Sequence, residues 1–263
     1  MARFCPLFSG SSGNGYYIGS AEEGILIDAG RSAKQITEKL NACEIPQKAI
    51  QAIFVTHEHS DHVSGLRVLA GRLGVPVYAS AGTMQALEHM GILTEKFPAS
   101  VLSMEGIVCA GMRIHPFHTS HDCAEGYGYC VRTADDRSVA FATDLGYFSE
   151  EVQENITGSD LVVLESNHDV GMLENGPYPY PLKRRILSNR GHLSNAACSE
   201  AAVGLVQSGT ARIFLAHLSK ENNTPELARE TSLCALKQMG AQDGKDFLLE
   251  VVPRENPGKV TVF

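Results

Sequence analysis

The sequence contains no tryptophan, only 7% aromatic residues and no long apolar run. Its longest apolar stretches, at residues 52–55 and 161–164, are far shorter than the roughly 20 residues of a membrane-spanning helix. The amino terminus lacks the basic region followed by an apolar region that marks a secretory signal. No Cys-x-x-Cys pair is present for metal binding or redox chemistry. We therefore expect a cytoplasmic protein without membrane contact, whose seven cysteines are mostly thiols.

Positive charge is also scarce, since 22 Lys and Arg residues stand against 30 Asp and Glu residues and the formal net charge is −8. Domains that hold nucleic acid by bulk charge are usually basic. The balance argues against that mode of binding and leaves only a local basic groove. Histidine, by contrast, is abundant. Three of the ten histidines lie within residues 57–62, and this cluster indicates where the chemistry takes place.

Strand-like and helix-like patterns alternate along the chain, with no linker, repeat or low-complexity segment between them. We therefore expect a single domain over residues 1–263. The predicted strands are residues 16–18, 24–27, 52–55, 75–78, 112–115, 128–132, 138–142, 161–164, 212–216, 247–252 and 259–262. The predicted helices are residues 32–43, 65–73, 84–90, 181–188, 195–208 and 224–239. Thr224 and Pro225 are a suitable cap and first residue for the last helix.

A group of metal-binding side chains follows the predicted strand 52–55. His57, Glu58, His59, Asp61 and His62 lie within six residues, and zinc-like cations are held by neutral imidazole and carboxylate groups. Because a turn lets residues two apart converge, we expect His57 and His59 to form one pair. Asp61 and His62 then face a second cation, while Glu58 points away. The alternative, a solvated polar turn, is disfavoured because random turns seldom gather three histidines and an aspartate at ligand spacing.

The segment 57–62 matches the H-x-H-x-D-H signature, and the chain therefore resembles the metallo-β-lactamase-fold hydrolases. Further segments are similar to the YycJ/WalJ family of bacterial exonuclease-like proteins, and together they span nearly the whole chain. They are residues 8–14, 25–30, 164–169, 191–195 and 217–223. The resemblance implies an α/β (α+β) fold, a four-layer αββα sandwich of two mixed sheets with helices outside. Metals would lie at the edge where strand-end loops meet.

The family pattern calls for a third histidine on the first metal, and the segment 116–122 offers His118 and His121. In related phosphodiesterases this ligand lies four or five residues past the end of a strand and shortly before a Gly-Tyr pair. Here Gly128 and Tyr129 form that pair, and the spacing favours His121. His118 remains the alternative, as a ligand or as a histidine that supports the ligands or faces the substrate.

Two further ligands follow predicted strands. Asp144 comes after the strand 138–142, where the superfamily has a carboxylate that bridges two metals, and His217 comes after the strand 212–216 and matches the last ligand. Alone, each would be an ordinary loop residue. An anionic bridge reduces the repulsion between two dications about 3.5–4 Å apart. The resemblance thus implies two divalent ions, of zinc, manganese or iron, held in loops just after strands. Their ligands are His57, His59 and His121 on one metal, Asp61, His62 and His217 on the other, and Asp144 between them.

The implied chemistry is hydrolysis by a metal-bound hydroxide, because two cations acidify a shared water and neutralise charge on a phosphate oxygen. The leaving oxygen then needs a proton. Related ribonuclease Z enzymes pair a glutamate with a histidine that opens a similar helix. This resemblance indicates His192 as the general acid and Glu165 as the residue that orients it, with Asp61 also contributing to catalysis. In the alternative, His192 makes only a polar contact at the start of a helix.

Substrate contacts are expected from three places in the chain. The loop 9–14, with Ser11 and Asn14, can approach a phosphate through backbone N–H groups, or it is simply a tight turn between strands. Asn167 and His168 either contact the substrate or hydrogen-bond the ligands. The basic cluster 183–185, close to two tyrosines, either binds the phosphate backbone or is a solvated face. Lys183 and Arg184 are its predicted contacts.

These features predict a dinuclear metal-dependent phosphodiesterase that hydrolyses nucleic acid. The resemblance implies a 5′-to-3′ exonuclease and favours DNA over RNA. One alternative is a hydrolase of a small substrate, such as a cyclic phosphodiester, a thioester or a lactam, which the acidic net charge favours modestly. A non-catalytic scaffold stapled by metals is a further alternative, but such proteins usually lose ligands, and this chain has every expected ligand type. The oligomeric state does not follow from the sequence.

Overall fold

The computed structural model describes all 263 residues, which separate into two units. Unit 1 comprises Met1–Pro116, Cys123–Arg137 and Pro253–Phe263, and unit 2 comprises Phe117–Asp122 and Ser138–Val252. Each unit is therefore built from segments that are distant in the sequence. The single domain expected over residues 1–263 stays a prediction. No helix in the chain is both long enough and apolar enough to cross a bilayer.

Fourteen strands and nine α-helices make up the two units. In chain order, the strands are β1 (Arg3–Phe8), β2 (Gly15–Gly19), β3 (Gly24–Ile27), β4 (Ile50–Phe54), β5 (Val77–Ala79), β6 (Ala99–Val101), β7 (Ile107–Cys109), β8 (Met112–Thr119), β9 (Gly126–Arg132), β10 (Ser138–Ala142), β11 (Leu161–Glu165), β12 (Arg212–Ala216), β13 (Leu248–Val251) and β14 (Thr261–Val262). The helices are α1 (Ala33–Ala42), α2 (Ser60–Val63), α3 (Leu66–Leu73), α4 (Ala81–His89), α5 (Glu150–Ile156), α6 (Val170–Asn175), α7 (Tyr180–Ile186), α8 (Asn195–Gln207) and α9 (Pro225–Gln238).

Unit 1 contains a seven-stranded sheet in the order β14-β1-β2-β3-β4-β5-β6. The pairs from β14 to β3 are antiparallel, and those from β3 to β6 are parallel. Ile27 of β3 pairs with Phe54 of β4, so the loops that follow these two strands start at the same edge. Buried apolar side chains of the sheet, such as Leu26 and Ile53, belong to one core with Leu66 and Leu69 of α3.

Unit 2 contains four parallel strands, β10 to β13, paired in sequence order. The residues of β10, β11 and β12 are almost all buried, as expected for parallel strands that are covered on both faces. In the register, Ala142 pairs with Leu164, and Glu165 pairs with Ala216. The carboxyl ends of these three strands therefore lie side by side, and α8 and α9 pack against each other in the same unit.

Every predicted strand and helix overlaps an observed element, but several elements were not predicted. The strand β1 contains Pro6, which has no N–H to donate to a sheet, and its pairing with β2 shifts register between Pro6 and Phe8. The strands β6 and β7 have only three residues each, and α5 and α6 are too short for a clear helical period. The predicted cap at Thr224 and first helical residue at Pro225 are both observed in α9.

The expectation that all seven ligands lie in loops is wrong for two of them. Asp61 and His62 belong to α2, a single turn of helix for which His59 is the N-terminal flanking residue. A four-residue helix has no apolar periodicity to reveal it in the sequence. Its turn still places Asp61 and His62 next to each other, as the prediction required.

Candidate functional site

The first predicted ligand pair lies in unit 1, just after β4. His57 is buried, and its Nε2 atom lies 3.0 Å from Nδ1 of His59. Thr56 determines which nitrogen of His57 carries the lone pair. The Thr56 hydroxyl donates to Asp28 Oδ2 at 2.9 Å, so it accepts a hydrogen bond from Nδ1–H of His57 at 3.0 Å. Nε2 of His57 is then left as a lone-pair donor that faces His59, as a metal ligand requires.

Asp28 is a site residue that sequence reasoning did not assign. It follows β3, is buried, and accepts hydrogen bonds from the backbone N–H of Thr56 at 2.8 Å and from Nδ1 of His62 at 2.7 Å. Burial raises the pKa of the Asp28 carboxyl, while the charge and hydrogen bond of His62 oppose this. Its bond to Nδ1 makes Nε2 the lone-pair nitrogen of His62, as a ligand requires. The feature of the sequence that could have indicated Asp28 is its position as an acidic residue directly after the apolar run 25–27.

Asp61 and His62 converge as predicted, with Asp61 Oδ2 3.6 Å from His62 Nε2. The buried amide of Asn14 lies against both of them. Its Nδ2 is 3.0 Å from His62 Nε2 and 3.3 Å from Asp61 Oδ2. Because the amide group donates, Nε2 of His62 is the nitrogen with the lone pair, in agreement with the contact to Asp28. Asn14 therefore positions the second predicted ligand pair, and its predicted contact with substrate stays a prediction.

The carboxyl ends of β10, β11 and β12 carry Asp144, Glu165 and His217 in unit 2. Asp144 and His217 have φ angles of 59° and 56°, in the left-handed region that non-glycine residues seldom adopt, and Asp28 has 63°. Such backbone strain persists only where the surrounding contacts enforce it, and it is concentrated at functional sites. The parallel register thus gathers three predicted site residues at one sheet edge, and two of them, Asp144 and His217, have unusual backbone angles.

Glu165 is the central carboxylate of this group and is fully buried. Its Oε1 atom accepts hydrogen bonds from Nδ1 of His192 at 2.8 Å and of His217 at 2.9 Å. Its Oε2 atom accepts the backbone N–H groups of Leu145 at 2.8 Å and Leu193 at 3.0 Å. Burial by itself would raise the pKa of Glu165, but the charges and hydrogen bonds of the two histidines outweigh it and lower the pKa. An ionised Glu165 therefore holds both rings with Nε2 directed away from it.

The two alternatives for the third histidine lie in different surroundings. His121 is buried, donates from Nδ1 to the carbonyl of Gly191 at 2.9 Å, and has Nε2 3.9 Å from Asp144 Oδ1. Burial lowers the pKa of His121 against the opposing charges of Asp144 and Glu165, which favours the neutral, ligating form. His118 is half exposed and bonds through Nδ1 to Glu151 at 2.9 Å. The geometry within unit 2 favours His121 as the ligand.

His192 lies beside these groups at the start of the segment that leads into α8. Its Nδ1 atom is 3.8 Å from Asp144 Oδ1, and its ring centroid is 4.9 Å from that of His121 and 5.3 Å from that of His217. The donor atoms of Asp144, Glu165, His192 and His217 all lie within 4.8 Å of one another. The side chain of His192 is 18% exposed, so a substrate has access to it while the other three are buried.

A family model described as a beta-lactamase superfamily domain matches residues 24–218. The chain belongs to this superfamily. It is 39% identical to the exodeoxyribonuclease YycJ of Bacillus anthracis, with 98% of both chains covered. It is 38% identical to the exodeoxyribonuclease WalJ of Streptococcus pneumoniae, which covers 93% of this chain and 92% of the relative. Membership of the YycJ/WalJ family is thereby confirmed, and so is the prediction of a metal-dependent hydrolase.

The predicted fold class is confirmed as well. The crystal structure of Zn²⁺-bound PqqB from Methylobacterium extorquens matches with a TM-score of 0.74 at 14% identity, over 99% of this chain and 100% of that one. At this identity the likeness shows the fold alone, an α/β metallo-β-lactamase fold with two mixed sheets and flanking helices. In each unit, imidazole nitrogens of histidines lie next to carboxylate oxygens, and this set of donor atoms suits a divalent cation.

The other residues that the sequence predicted for the site differ in their surroundings. Glu58 points away from the histidines, as expected, and accepts the N–H of Ala124 at 2.8 Å. Ser11 is exposed in the loop between β1 and β2. Asn167 is buried and donates to the carbonyl of His217 at 2.9 Å. It therefore supports the backbone of a predicted ligand, while its predicted substrate contact stays a prediction.

The basic cluster lies on α7 and is partly used within the protein. Lys183 donates to the carbonyl of Glu174 at 2.8 Å, and Arg185 pairs with Asp122. Arg184 is exposed and lies over the ring of Tyr180 at 5.9 Å. Neither Lys183 nor Arg184 forms an ion pair, and Arg184, which also makes no hydrogen bond within the protein, is the best placed of the three cations to meet a phosphate.

Proposed function

We propose that the protein is a metal-dependent phosphodiesterase that hydrolyses nucleic acid, as a 5′-to-3′ exonuclease acting on DNA rather than RNA. The observation that carries this proposal is the pair of hydrogen bonds from His192 and His217 to the buried carboxylate of Glu165. One anion thereby orients a predicted metal ligand and a predicted proton donor. The relatives that share 38–39% identity over nearly the whole chain are named exodeoxyribonucleases, which supports the choice of substrate.

The proposed cofactor is a pair of divalent ions, of zinc, manganese or iron. In unit 1, Nε2 of His57 and Nδ1 of His59 lie 3.0 Å apart, a separation that suits two ligands of one ion. Two nitrogens leave such an ion incompletely ligated. The proposed full ligand set is the one that the family resemblance implies, with His57, His59 and His121 on one ion, Asp61, His62 and His217 on the other, and Asp144 between them. Cations bound there would acidify water and offset the charge that grows on the phosphate.

The proposed role of His192 is to protonate the leaving oxygen through Nε2. Its Nδ1–H is held by the ionised carboxylate of Glu165, which fixes the orientation of the ring with Nε2 on the opposite side. After transfer, the neutral ring keeps the same hydrogen bond. Asp61 is 21% exposed, and its proposed role is to bind a metal and to accept a hydrogen bond from the attacking water. Arg184 and Lys183 are proposed contacts of the phosphate backbone, together with the backbone N–H groups around Ser11.

The experiment that tests this proposal is a nuclease assay with Mn²⁺ or Zn²⁺ on single- and double-stranded DNA and RNA labelled at either end. We expect release of nucleotides from the 5′ end of DNA, and loss of cleavage with a chelator. His192→Ala should keep its metal and lose roughly 10²- to 10⁴-fold in turnover, the usual contribution of a general acid. His89→Ala, at an exposed position on α4, is the matched control and should behave as the wild type.

Two further readouts make the assay decisive. Metal content should fall in Asp61→Ala and His121→Ala and remain in His118→Ala. Affinity for a DNA end should fall steeply with added salt, because a polyanion releases counterions on binding, whereas a small substrate gives a shallow dependence. Absence of metal-dependent cleavage, or wild-type turnover in His192→Ala, would overturn the proposal. Cleavage of bis(p-nitrophenyl) phosphate without cleavage of any nucleic acid would favour a small substrate.

A further inference from the structure

Unit 2 contains a cavity of about 450 Å³ next to His192 that the proposed reaction does not use. It is lined by residues of α5 and α8 and by the segment that follows β10, including Tyr147 and Phe148. His192 itself lines the cavity, so whatever occupies it lies beside the proposed proton donor. The volume exceeds what a single nucleobase needs and lies within the usual range of ligand sites.

The lining of this cavity suits an uncharged flat group and not a phosphate. No lysine or arginine lines it, and Glu200 is its one charged carboxylate. Three of its large apolar side chains are exposed, Tyr147 by 47%, Leu187 by 44% and Val170 by 37%. Exposed apolar side chains gathered at one cavity indicate a binding surface. The rings of Tyr147 and Phe148 in the lining offer stacking, which is the sequence-tolerant way in which proteins hold unpaired bases.

His168 adds an independent indication of a ligand. It lines the cavity, is 1% exposed, and neither of its ring nitrogens has a hydrogen-bond partner. Buried polar atoms without partners are rare and costly in native proteins. Burial lowers the pKa of His168 to about 4, so the ring is neutral near pH 7 and carries one donor and one acceptor. The edge of a nucleobase presents the same combination of groups.

We infer that this cavity binds one unstacked nucleobase of the strand end, next to the phosphodiester that His192 serves. The inference rests on the proposed function, since it assumes a nucleic acid substrate. Stacking on Tyr147 or Phe148 supplies the affinity, and His168 hydrogen-bonds the base edge. When an exonuclease unstacks the terminal base of its substrate and binds it in a pocket, the distance between that base and the scissile phosphate is fixed, which positions the phosphate for hydrolysis.

The test compares DNA ends that carry a natural base with ends that carry an abasic tetrahydrofuran nucleotide at the same position. Wild-type kcat/KM should fall by about tenfold or more on the abasic end, which corresponds to the loss of one stacked base. Bis(p-nitrophenyl) phosphate, which has no nucleobase, reports the hydrolytic machinery alone. A terminal 2-aminopurine, next to a phosphorothioate that slows cleavage, should lose fluorescence when it stacks in the cavity.

Gly204→Leu is the variant that fills the cavity. Gly204 lines it from α8, and a Cβ atom there meets no heavy atom within 4 Å, so the variant should fold. Natural ends should then be cleaved about tenfold more slowly, while abasic ends and bis(p-nitrophenyl) phosphate are cleaved at the wild-type rate. Gln207→Leu, on an exposed position of α8 outside the cavity lining, is the matched control. His168→Phe should keep the stacking and reduce discrimination among the four terminal bases.

The two proposals fail in distinguishable ways. Equal cleavage of natural and abasic ends by the wild type, or an equal loss on both ends in Gly204→Leu, overturns the base site and leaves the nuclease intact. Hydrolysis of bis(p-nitrophenyl) phosphate with no cleavage of either DNA end overturns the proposed function and the base site with it.

Discussion

At the scale of single residues, Glu165 links metal binding to proton transfer. Four N–H donors surround its two oxygens, so the carboxylate has no capacity to spare for water or for a direct role in the reaction. The same anion holds Nδ1 of a proposed ligand, His217, and of a proposed acid, His192. A change at Glu165 must therefore alter both functions together, whereas a change at His192 alters only one.

Glu165→Gln tests this link. The amide offers only one accepting oxygen and turns two donor hydrogens toward N–H groups, so at least one buried contact is lost. We expect metal affinity to fall by roughly 10- to 100-fold, as for other residues that orient ligands, and turnover to fall at saturating metal. Titration with a chromophoric chelator measures the first effect, and kcat measures the second. Glu151→Gln, which replaces an exposed carboxylate bonded to His118, is the control. Unchanged metal affinity in Glu165→Gln would contradict the assigned role.

Some residues of the candidate site could be predicted from the sequence, whereas others are recognised only from their contacts in the structure. The histidines and aspartates at strand ends could be predicted as ligands because their residue types and spacing match a metal site. Asp28 could not, since a lone acid after a strand is an ordinary turn residue until His62 is seen against it. Asn14 was predicted to contact substrate, and Asn167 to contact either substrate or the ligands. Both amides bond predicted ligands, because the partner of an amide is decided by tertiary contacts.

At the scale of elements, the short helix α2 is held in place by the turn that follows β3. Gly30 in that turn accepts no side chain, because a Cβ atom would collide with the carbonyl oxygen of Asp61 and come within 2.5 Å of the amide nitrogen of Asn14. Both neighbours are backbone atoms and cannot rotate away. The absence of a side chain at Gly30 therefore fixes the distance between the Asp28 turn and the helix that carries Asp61 and His62.

Gly30→Ala should consequently displace α2. We expect a loss of about 3 kcal/mol in the free energy of unfolding, at the upper end of the usual cost of overpacking, together with reduced metal content. Gly71→Ala is the control. Gly71 lies within α3, where alanine gains up to about 1 kcal/mol over glycine, and its Cβ would lie 3.5 Å from the nearest atom, Cβ of Lys96. Urea denaturation measures both variants. Equal stability of the two would show that α2 adjusts freely.

The elements themselves were predictable where local pattern and burial agree. The parallel strands β10 and β12 were predicted to the residue because buried parallel strands are continuous apolar runs. The strand β1 was missed because Pro6 is unusual within a paired strand, and pairing on both sides overrides it. The helix α2 is set by its tertiary contacts rather than by its sequence. Local pattern therefore gave the scaffold, and long-range contacts decide the details around the site.

At the scale of the whole molecule, net charge says little about the substrate. The formal charge of −8 counts Asp61 and Asp144 as free anions, and two bound divalent cations would raise it to −4. The local field at a metal centre is positive whatever the total. Steering of a polyanion would then depend on the metals and on exposed cations such as Arg184, and it should weaken as salt screens them.

Acid should destabilise the metal-free protein partly through His168. Burial lowers the pKa of this histidine to about 4 from an ordinary value of about 6.5. Between pH 6.5 and pH 4 the His168 side chain is protonated in the unfolded chain but not in the folded protein. The contribution of the neutral, buried His168 to the free energy of unfolding is therefore complete above pH 6.5 and is lost as the pH falls toward 4. The loss amounts to about 3 kcal/mol over that interval.

Urea denaturation at about pH 7 and about pH 4.5, with chelator present, measures this effect. Between these two pH values the decline in the free energy of unfolding should be smaller in His168→Phe than in the wild type by about 2.4 kcal/mol. His89→Phe changes an exposed histidine and should leave the decline as it is. Parallel declines in the wild type and His168→Phe would show that His168 takes up its proton in the folded protein.

The left-handed backbone at Asp28, Asp144 and His217 places activity and stability in opposition at three positions. Glycine would relieve a strain of about 1–2 kcal/mol at each of them. At Asp28 and His217 this gain is opposed by the buried hydrogen bonds to His62, Thr56 and Glu165 that a single substitution would break. A lineage that no longer needed the enzyme would therefore gain stability only by replacing bonded partners together, and descendants that have lost the activity should show coordinated changes at the ends of β3, β10 and β12.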